Sequence, residues 1–368
     1  MNGPLHLVQA IEERKRKGLF RSLKCNVPKI DFSSNDYLGF SKNGLIEKKI
    51  KGLKSNSGST GSRLISGNTQ FTEDLENSIA KFHSSEAALI FNSGYDANVG
   101  LLSSIAGKRD LILYDELIHA SIHDGIRMGY AKHYKIRHND TEHLKRLIER
   151  NKDLTDNIFV VVESVYSMDG DCAKLKELVK ICDNKKIFLI VDEAHAIGVF
   201  GESGRGLCNE LGIEEKCFAR IYTYGKAMGC HGAAIAGSKD LRDFLINFAR
   251  SFVYTTALPP HSLLMIKAAY GLLSESKYSD QLKENIRYFN SLIKADEKFI
   301  PSNGAIHCRL LPGNHNVDII EAQFEKNDMF VKGIKSPTVK EGAERVRICL
   351  HAFNTRKEIK KLVELIYE

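Results

Sequence analysis

The eight cysteines of this 368-residue chain form no CxxC pair, and their spacing matches neither a zinc site nor a disulfide framework. Scattered free thiols are typical of a protein from a reducing cytosol. The chain also has no apolar run long enough to span a bilayer, and it has no internal repeat or low-complexity segment. We therefore expect a globular, cytoplasmic protein without a transmembrane segment.

The N-terminal segment also lacks the apolar core of a signal peptide. Its apolar side chains instead recur with helical spacing, which predicts an amphipathic helix with Leu5, Leu7, Val8 and Ile11 on one face. Two acidic residues follow them and argue against a transit peptide. We expect residues 1–45 to form this helix and then a short strand at 30–33.

The chain has no strong local excess of one charge. Its net charge is +7, and the lysines are spread along the chain rather than clustered. The positive net charge could favour an anionic substrate. Because the lysines are dispersed, the sequence does not predict nucleic-acid binding. A hydrophobic content of 43% and a charged content of 27% are ordinary for globular proteins, and the length suffices for two domains.

Apolar strand-like runs alternate with helical patterns from residue 46 onward, which is typical of parallel βαβ units. The predicted strands lie at 87–91, 111–114, 158–162, 187–191, 220–222 and 233–236, and the predicted helices include 71–82, 140–151 and 175–182. We expect an α/β fold with a large domain over 46–272. A small α+β domain over 273–368 would end in a strand at 345–350 and a helix at 355–367.

Four of the predicted strands run into clusters of polar residues. The clusters cover 92–94, 163–167, 192–195 and 223–226. In open parallel sheets, ligands bind beyond the carboxyl ends of the strands. We therefore expect these clusters to form one ligand-binding site.

Lys226 and Asp192 within these clusters predict a pyridoxal phosphate enzyme. Lys226 follows an apolar stretch and a glycine, whereas most lysines are solvated surface groups. Its amine would bond the cofactor aldehyde, and Asp192 would keep a proton on the pyridine nitrogen so that the ring withdraws electrons. Taken alone, an aspartate after a strand is more often a helix cap or a salt-bridge partner. The combination with Lys226 and His195 favours the cofactor, and His195 could donate to its phenolic oxygen.

A phosphate site is predicted after the strand at 87–91. Gly94 permits close approach there, and we expect a helix from about 96 to 105 whose first backbone N–H groups would face the phosphate. The Thr223 hydroxyl could bind the same group. A glycine at a junction between a strand and a helix is common, so this signal is weak on its own.

His119 and His123 stand four residues apart, a spacing that could hold zinc on a helix. The sequence offers neither the glutamate nor the third ligand that such a site needs, so we predict no metal. Two partly buried histidines are one remaining interpretation. An imidazole that stacks on the cofactor ring is the other, and we assign that role to His119.

Two glycine-rich segments do not match nucleotide-binding motifs. Residues 58–63 lack the lysine and the spacing of a P-loop, and residues 201–206 fit neither the dinucleotide fingerprint nor the nucleophile elbow. We expect both to be tight loops near the active site. Arg347, on the strand predicted at 345–350, could hold a carboxylate through two hydrogen bonds, although a surface salt bridge explains it equally well.

Together these residues resemble the α-oxoamine synthase family of pyridoxal phosphate enzymes, which have fold type I, the fold of aspartate aminotransferase. The matching segments span nearly the whole chain and cover 32–39, 58–68, 92–98, 115–121, 163–171, 191–206, 223–232 and 255–260. The set is specific, although each segment alone is not. The resemblance implies a large domain with a mostly parallel central sheet, a small C-terminal α+β domain and a homodimer.

The resemblance also implies cofactor contacts by position. It implies that Lys226 bonds the cofactor, that Asp192 faces the pyridine nitrogen and that His119 stacks on the ring, and these three are the predicted catalytic residues. The other implied contacts are Ser167 and His195 near the phenolic oxygen, Gly94, Tyr95 and Thr223 at the phosphate, and Thr255 and Thr256 from a second subunit. At 95 and 224 the chain has tyrosine where the family usually has phenylalanine, and we expect both rings to be tolerated.

Arg21, Asn35, His119 and Arg347 fall at substrate-contacting positions of the family. The resemblance implies a condensation of L-alanine with pimeloyl-CoA, or with the same thioester of an acyl carrier protein, as in biotin biosynthesis. Carbon dioxide and the free thiol would be released.

Residues 58–63 favour this reaction over two alternatives within the family, which use glycine with acetyl-CoA or serine with palmitoyl-CoA. A non-catalytic subunit of the same fold is the alternative from another class. It is disfavoured because Lys226 and Asp192 are both present.

Overall fold

The computed structural model describes residues 4–17, 19–21, 23, 29–275, 277–293 and 296–368, so Cys25 lies outside the described residues. The strands are β1 (Ile30–Asp31), β2 (Ala87–Phe91), β3 (Leu111–Asp115), β4 (Lys132–Ile136), β5 (Ile158–Glu163), β6 (Ile187–Asp192), β7 (Ala219–Thr223), β8 (Ala233–Gly237), β9 (Ile306–Leu310), β10 (Met329–Phe330), β11 (Lys332–Ile334) and β12 (Arg345–Cys349). The α-helices are α1 (Leu5–Arg16), α2 (Leu45–Ile50), α3 (Gln70–Phe82), α4 (Gly94–Ser104), α5 (Ala120–Met128), α6 (Thr141–Asn151), α7 (Leu175–Ile181), α8 (Leu207–Glu210), α9 (Lys239–Phe248), α10 (Arg250–Val253), α11 (Pro260–Leu273), α12 (Lys277–Ile293), α13 (Asn314–Lys326) and α14 (Arg356–Tyr367).

The central sheet has seven strands in the order β2-β8-β7-β6-β5-β3-β4. Neighbouring strands are parallel except where β8 is involved, since β8 runs antiparallel to both β2 and β7. The predicted α/β fold with a mostly parallel sheet is therefore confirmed. The strand β4 was not predicted, because its first four side chains are exposed and mostly polar, as suits a strand at the edge of a sheet.

The central strands send alternate side chains into two separate apolar cores. On β6, Leu189 and Val191 pack in one core, whereas Ile190 packs in the other. The helices α3, α7 and α11 contribute to the first core, and α4, α5 and α9 contribute to the second. Because both faces of the sheet are buried, its central strands are almost continuously apolar.

Two predicted boundaries are wrong for local reasons. The helix predicted from about 96 begins at Gly94, because the Ser93 hydroxyl caps it by accepting a hydrogen bond from the Asp96 N–H at 3.1 Å. The strand predicted at 30–33 ends at Asp31. The reason is that Asp31 Oδ1 accepts hydrogen bonds from the backbone N–H groups of Ser33 and Ser34, at 2.8 and 2.9 Å. These bonds turn the chain away from the strand.

The N-terminal helix is confirmed as α1, but its apolar face is exposed, and none of its described residues is buried. Within the described ranges, no helix combines the length and the apolarity that crossing a membrane requires.

The C-terminal part contains a three-stranded antiparallel sheet in the order β11-β12-β9. The short strand β1 pairs with β10, which attaches the segment at the start of the chain to this part of the fold. The division into domains at 1–45, 46–272 and 273–368 stays a prediction.

His138 connects the end of β4 to the segment that follows β5. Its Nδ1 lies 3.0 Å from Asp115 Oδ1, and its Nε2 lies 2.8 Å from Asp171 Oδ2. Burial lowers the pKa of His138, but the two carboxylates outweigh burial and raise that pKa to about 9. Asp169 lies close enough to share a cation with this group, yet it is paired with Arg345. The arrangement favours a charged imidazolium over a metal ion.

Replacing His138 by glutamine should change how stability depends on pH. The folded-state pKa of about 9 lies above the ordinary value of 6.5. The stabilisation is therefore fully present below about pH 6.5 and is lost as the pH rises through about 9. The melting temperature of H138Q should lie furthest below that of the wild type near pH 6, and the gap should narrow by about pH 9.5. Glutamine at the exposed His261 is the control, and a gap that stays constant with pH contradicts the assignment.

Candidate active site

A cavity of about 270 Å³ lies at the carboxyl end of the central sheet. All four polar clusters predicted from the sequence contribute to it. Its lining residues are Asn35, Ser93, Gly94, Tyr95, Asn98, His119, Ser121, Glu163, Asp192, Ala194, His195, Thr223, Gly225, Lys226, His231 and Gly232. The predicted convergence of strand ends therefore exists in the structure.

Lys226 lies in the turn that follows β7. The turn is closed by a hydrogen bond from the Tyr224 N–H to the Gly232 carbonyl at 2.9 Å. The Lys226 Nζ lies 2.8 Å from His195 Nε2. Burial lowers the pKa of Lys226 below its ordinary range, although the nearby carboxylates Asp192 and Glu163 oppose this effect. A lysine with a lowered pKa supplies a neutral amine, which can act as a nucleophile or as a base.

Asp192 is the last residue of β6, and only 4% of its surface is exposed. Its Oδ2 accepts a hydrogen bond from Asn98 Nδ2 at 2.9 Å, and its Oδ1 accepts one from the Ala194 N–H at 2.9 Å. These two bonds fix the carboxylate at the cavity wall. A buried carboxylate favours a cationic partner, such as a protonated ring nitrogen.

Glu163 lies directly beside Asp192, because the two residues are paired in register at the ends of β5 and β6. Burial and the charge of Asp192 raise the pKa of Glu163 to about 8. Within the described ranges, Glu163 Oε1 is buried without a hydrogen-bond partner. At neutral pH this raised pKa leaves Glu163 mostly protonated, so Glu163 adds little negative charge to the cavity.

One end of the cavity is suited to a phosphate. The helix α4 begins there at Gly94, and a Cβ atom at that position would come within 2.4 Å of the Thr223 methyl carbon. The Thr223 Oγ1 is buried and has no partner among the described residues. A helix start with free N–H groups beside an unpaired hydroxyl is a suitable anion site.

His119 is the N-cap of α5, and its ring is held in place. Its Nδ1 lies 2.8 Å from Ser121 Oγ, and the Ser121 N–H donates to it at 3.2 Å. The Ser121 hydroxyl in turn accepts a bond from Asn98 Nδ2 at 3.0 Å. Burial and the neighbouring Lys226 lower the pKa of His119. A fixed, neutral imidazole at the cavity wall suits the predicted stacking role.

The two tyrosines that replace phenylalanine both have partners for their hydroxyl groups. Tyr95 donates to Asp124 Oδ2 at 2.6 Å, and Tyr224 OH lies 3.2 Å from Tyr270 OH. Each additional hydroxyl is therefore satisfied by a hydrogen bond.

Five residues predicted from the sequence do not line the cavity, and these are Ser167, Thr255, Thr256, Arg21 and Arg347. Arg347 lies one layer behind Asn35. The Arg347 guanidinium donates to Asn35 Oδ1 at 3.0 Å and to the Ser167 backbone carbonyl at 2.7 Å. Only 8% of Arg347 is exposed, so its interpretation as a surface salt bridge is wrong.

Thr255 lines a separate hollow, and Thr256 follows it in the chain. Asn92 Nδ2 donates to the Thr255 hydroxyl at 3.0 Å and to the Thr256 backbone carbonyl at 2.9 Å. Arg21 is exposed. The roles of all five residues outside the cavity stay predictions.

Sequence reasoning missed Tyr37, Asn98 and Ser121. Tyr37 OH lies 2.7 Å from His195 Nδ1, and the other two form the bonds to His119 and Asp192 described above. The sequence signal for these residues was weak. A polar residue at a buried helical position, such as Asn98, can be recognised only after the helix and its buried face are known.

These residues fit pyridoxal phosphate. The buried Thr223 hydroxyl and the start of α4 suit its phosphate, the buried Asp192 suits its ring nitrogen, and the Lys226 amine suits its aldehyde. The donor set thus matches the phosphate, the ring nitrogen and the aldehyde of the predicted cofactor.

Comparison with known proteins agrees with this site. Residues 27–366 match the family described as aminotransferase class I and II. The chain is 41% identical to an 8-amino-7-oxononanoate synthase of Emericella nidulans, over 92% of this chain and 88% of that protein. It is 36% identical to an 8-amino-7-oxononanoate synthase of Geotalea daltonii, over 97% of this chain and 96% of that protein.

Solved structures show the same fold. The crystal structure of an 8-amino-7-oxononanoate synthase from Francisella tularensis superposes with a TM-score of 0.77 at 31% identity, over 92% of this chain and 96% of that one. A serine palmitoyltransferase of Sphingomonas wittichii superposes with a TM-score of 0.88 at 26% identity, over 98% and 95%. The chain therefore belongs to the aminotransferase class I and II family, in its α-oxoamine synthase branch with fold type I.

Proposed function

We propose that this chain condenses L-alanine with a pimeloyl thioester, of CoA or of an acyl carrier protein, to give 8-amino-7-oxononanoate in biotin biosynthesis. The observation that carries the proposal is the placement of Lys226, Asp192 and His195 around one cavity. The identity of 41% to an 8-amino-7-oxononanoate synthase supports the choice of reaction. The donor set and the family support pyridoxal phosphate as the cofactor.

Four elements would hold this cofactor: Lys226 at the aldehyde, Asp192 at the ring nitrogen, and Thr223 with the start of α4 at the phosphate. When bound, pyridoxal phosphate supplies an electrophilic aldehyde and a ring that withdraws electrons from the substrate. The fixed imidazole of His119 would limit the tilt of the cofactor's pyridine ring.

The Lys226 amine is the group best placed to move the α-proton of L-alanine. Burial lowers its pKa, so a larger share of the amine is neutral and able to accept a proton at Nζ. A well-placed general base contributes roughly 10²- to 10⁴-fold to a rate. The hydrogen bonds from Asn98 and from the Ala194 N–H keep the Asp192 carboxylate in a single orientation during this transfer.

Arg347 and Asn35 are proposed to hold the carboxylate of the amino acid. A guanidinium has five N–H donors, and Arg347 uses three of them on the Ser167 carbonyl, Asn35 Oδ1 and Cys349 Sγ. At most two donors remain for a substrate carboxylate. Because Asn35 lines the cavity, its amide N–H₂ group could complete the contact. Arg21 is the second proposed substrate arginine.

The main rivals are sister reactions on the same scaffold. Superposition does not separate them, because a TM-score reports the fold that they share, and the serine palmitoyltransferase gives a higher value than the oxononanoate synthase. Sequence identity does favour one, at 31% for the oxononanoate synthase structure and 26% for the serine palmitoyltransferase. The presence of both Lys226 and Asp192 at the cavity disfavours a non-catalytic subunit.

We propose a cytoplasmic homodimer in which Thr255 and Thr256 reach the phosphate of the neighbouring subunit. In the single chain neither threonine lines the cavity, and Thr255 lines a separate hollow, so a role at the cofactor requires a second copy. The exposed Ile65, which lies in a segment that matches the family, would gain cover from such a copy.

Replacing Lys226 by alanine should abolish condensation. The loss in kcat/KM should exceed the roughly 10²- to 10⁴-fold expected for a general base, since the covalent anchor is removed as well. Release of free thiol from pimeloyl-CoA in the presence of L-alanine measures the effect. Alanine at the exposed Lys216 is the control, and wild-type turnover by K226A would rule out this role.

A substrate panel tests the reaction. L-alanine, glycine and L-serine are each supplied with acetyl-, pimeloyl- or palmitoyl-CoA, and pimeloyl carrier protein is included as a further donor. We expect thiol release with L-alanine and a pimeloyl donor. Release only with glycine and acetyl-CoA would assign the chain to the glycine branch and overturn the proposal.

A further inference from the structure

His195 is held through both nitrogens of its ring. Its Nε2 lies 2.8 Å from the Lys226 Nζ, and its Nδ1 lies 2.7 Å from the Tyr37 hydroxyl. Burial lowers the pKa of His195 well below its ordinary range, and the neighbouring Lys226 lowers it further. A neutral imidazole carries one proton, so one of its nitrogens donates and the other accepts. Which nitrogen donates decides what His195 can do for the Lys226 amine.

The answer starts at Arg347, whose guanidinium can only donate. Its guanidinium lies 3.0 Å from the side-chain amide of Asn35. The atom of Asn35 that faces Arg347 must therefore be the carbonyl oxygen Oδ1 and not the amide nitrogen. This contact sets the orientation of the amide.

Asn35 Oδ1 in turn sets the direction of the Tyr37 hydroxyl. The Tyr37 OH lies 3.1 Å from this oxygen, and an amide oxygen can only accept a hydrogen bond. A phenol has a single proton, so the proton of Tyr37 points to Asn35. Tyr37 is fully buried, and burial raises its pKa above the ordinary range, so the hydroxyl keeps that proton.

Because the proton of Tyr37 is used on Asn35, the Tyr37 oxygen can only accept from His195. The proton of the imidazole therefore lies on Nδ1, and Nε2 has a free lone pair. We propose that Tyr37 is a positioning residue that holds His195 in the Nδ1–H tautomer, so that Nε2 accepts a hydrogen bond from the Lys226 amine. This inference deepens the proposed function and rests on it for its role in the reaction.

The direction of these bonds matters for the chemistry of Lys226. An acceptor at Nε2 orients the amine hydrogens and points the amine lone pair away from the imidazole. In this tautomer His195 cannot donate from Nε2 to a cofactor oxygen, which is the role predicted for it from the sequence. The contact with the free Lys226 amine therefore belongs to the chain before the cofactor bonds Lys226, and donation to the cofactor would require the proton on Nε2 instead.

Nuclear magnetic resonance of histidine labelled with the heavy nitrogen isotope reads the tautomer directly. The full-length chain is measured before pyridoxal phosphate is added, and the resonances of His195 are identified by their loss in H195Q. We expect a protonated Nδ1 and an unprotonated Nε2 in the wild type. A protonated Nε2 in the wild type overturns the proposal, and this result needs no variant of Tyr37.

Two variants test the cause. Tyr37→Phe removes the acceptor for Nδ1–H, and Asn35→Ala frees the Tyr37 proton to turn toward Nδ1. Both should increase the share of the Nε2–H tautomer.

Tyr222→Phe is the matched control, because Tyr222 is also fully buried and its hydroxyl accepts a bond from Arg220 at 3.0 Å. It should leave the His195 resonances unchanged. Unchanged resonances in Y37F and N35A would overturn the role of Tyr37.

A kinetic measurement adds the functional consequence. In Y37F loaded with pyridoxal phosphate, kcat should fall by about 10- to 100-fold while KM for L-alanine stays within about twofold, because proton transfer is affected and binding is not. A change in KM for L-alanine without a fall in kcat would contradict the assignment. If the wild type condenses none of the substrates, the proposed function fails, whereas the tautomer is still decided by the resonance experiment.

Discussion

A lysine amine buried between two acidic groups and an imidazole is the constraint on which the rest of this site depends. Burial lowers the pKa of Lys226, and the nearby Asp192 and Glu163 oppose that shift. Unpaired buried charges are costly, so the Lys226 amine and the Asp192 carboxylate must be held by fixed partners. His195 and Asn98 provide such partners at 2.8 and 2.9 Å. The balance leaves an amine that is reactive yet retained inside the protein.

The sheet supplies the geometry that this balance requires. Parallel pairing of β5 and β6 places Glu163 beside Asp192, and the turn after β7 brings Lys226 over the same edge. The phosphate end is built separately, from the start of α4 and the buried Thr223 hydroxyl. The layer behind the cavity comes from the C-terminal sheet, whose strand β12 carries Arg347 toward Asn35. One site therefore joins parts of the chain that are far apart in sequence.

Much of this arrangement could be predicted from the sequence, because buried parallel strands and the polar residues at their ends are local patterns. The strand β4 could not, since its exposed polar side chains carry no apolar signal. Tyr37 and Asn98 could not either, because their roles arise from contacts with His195 and Asp192, which are distant in the sequence. The tautomer of His195 follows only from the donors and acceptors around it.

The central claim is that the Lys226 amine bonds the cofactor aldehyde. Borohydride reduction of the purified chain with pyridoxal phosphate, followed by mass spectrometry of its peptides, tests this claim most directly. The account predicts that the mass of the reduced cofactor is added to the peptide that contains Lys226. Addition to a different lysine, or no addition to any peptide, would contradict it.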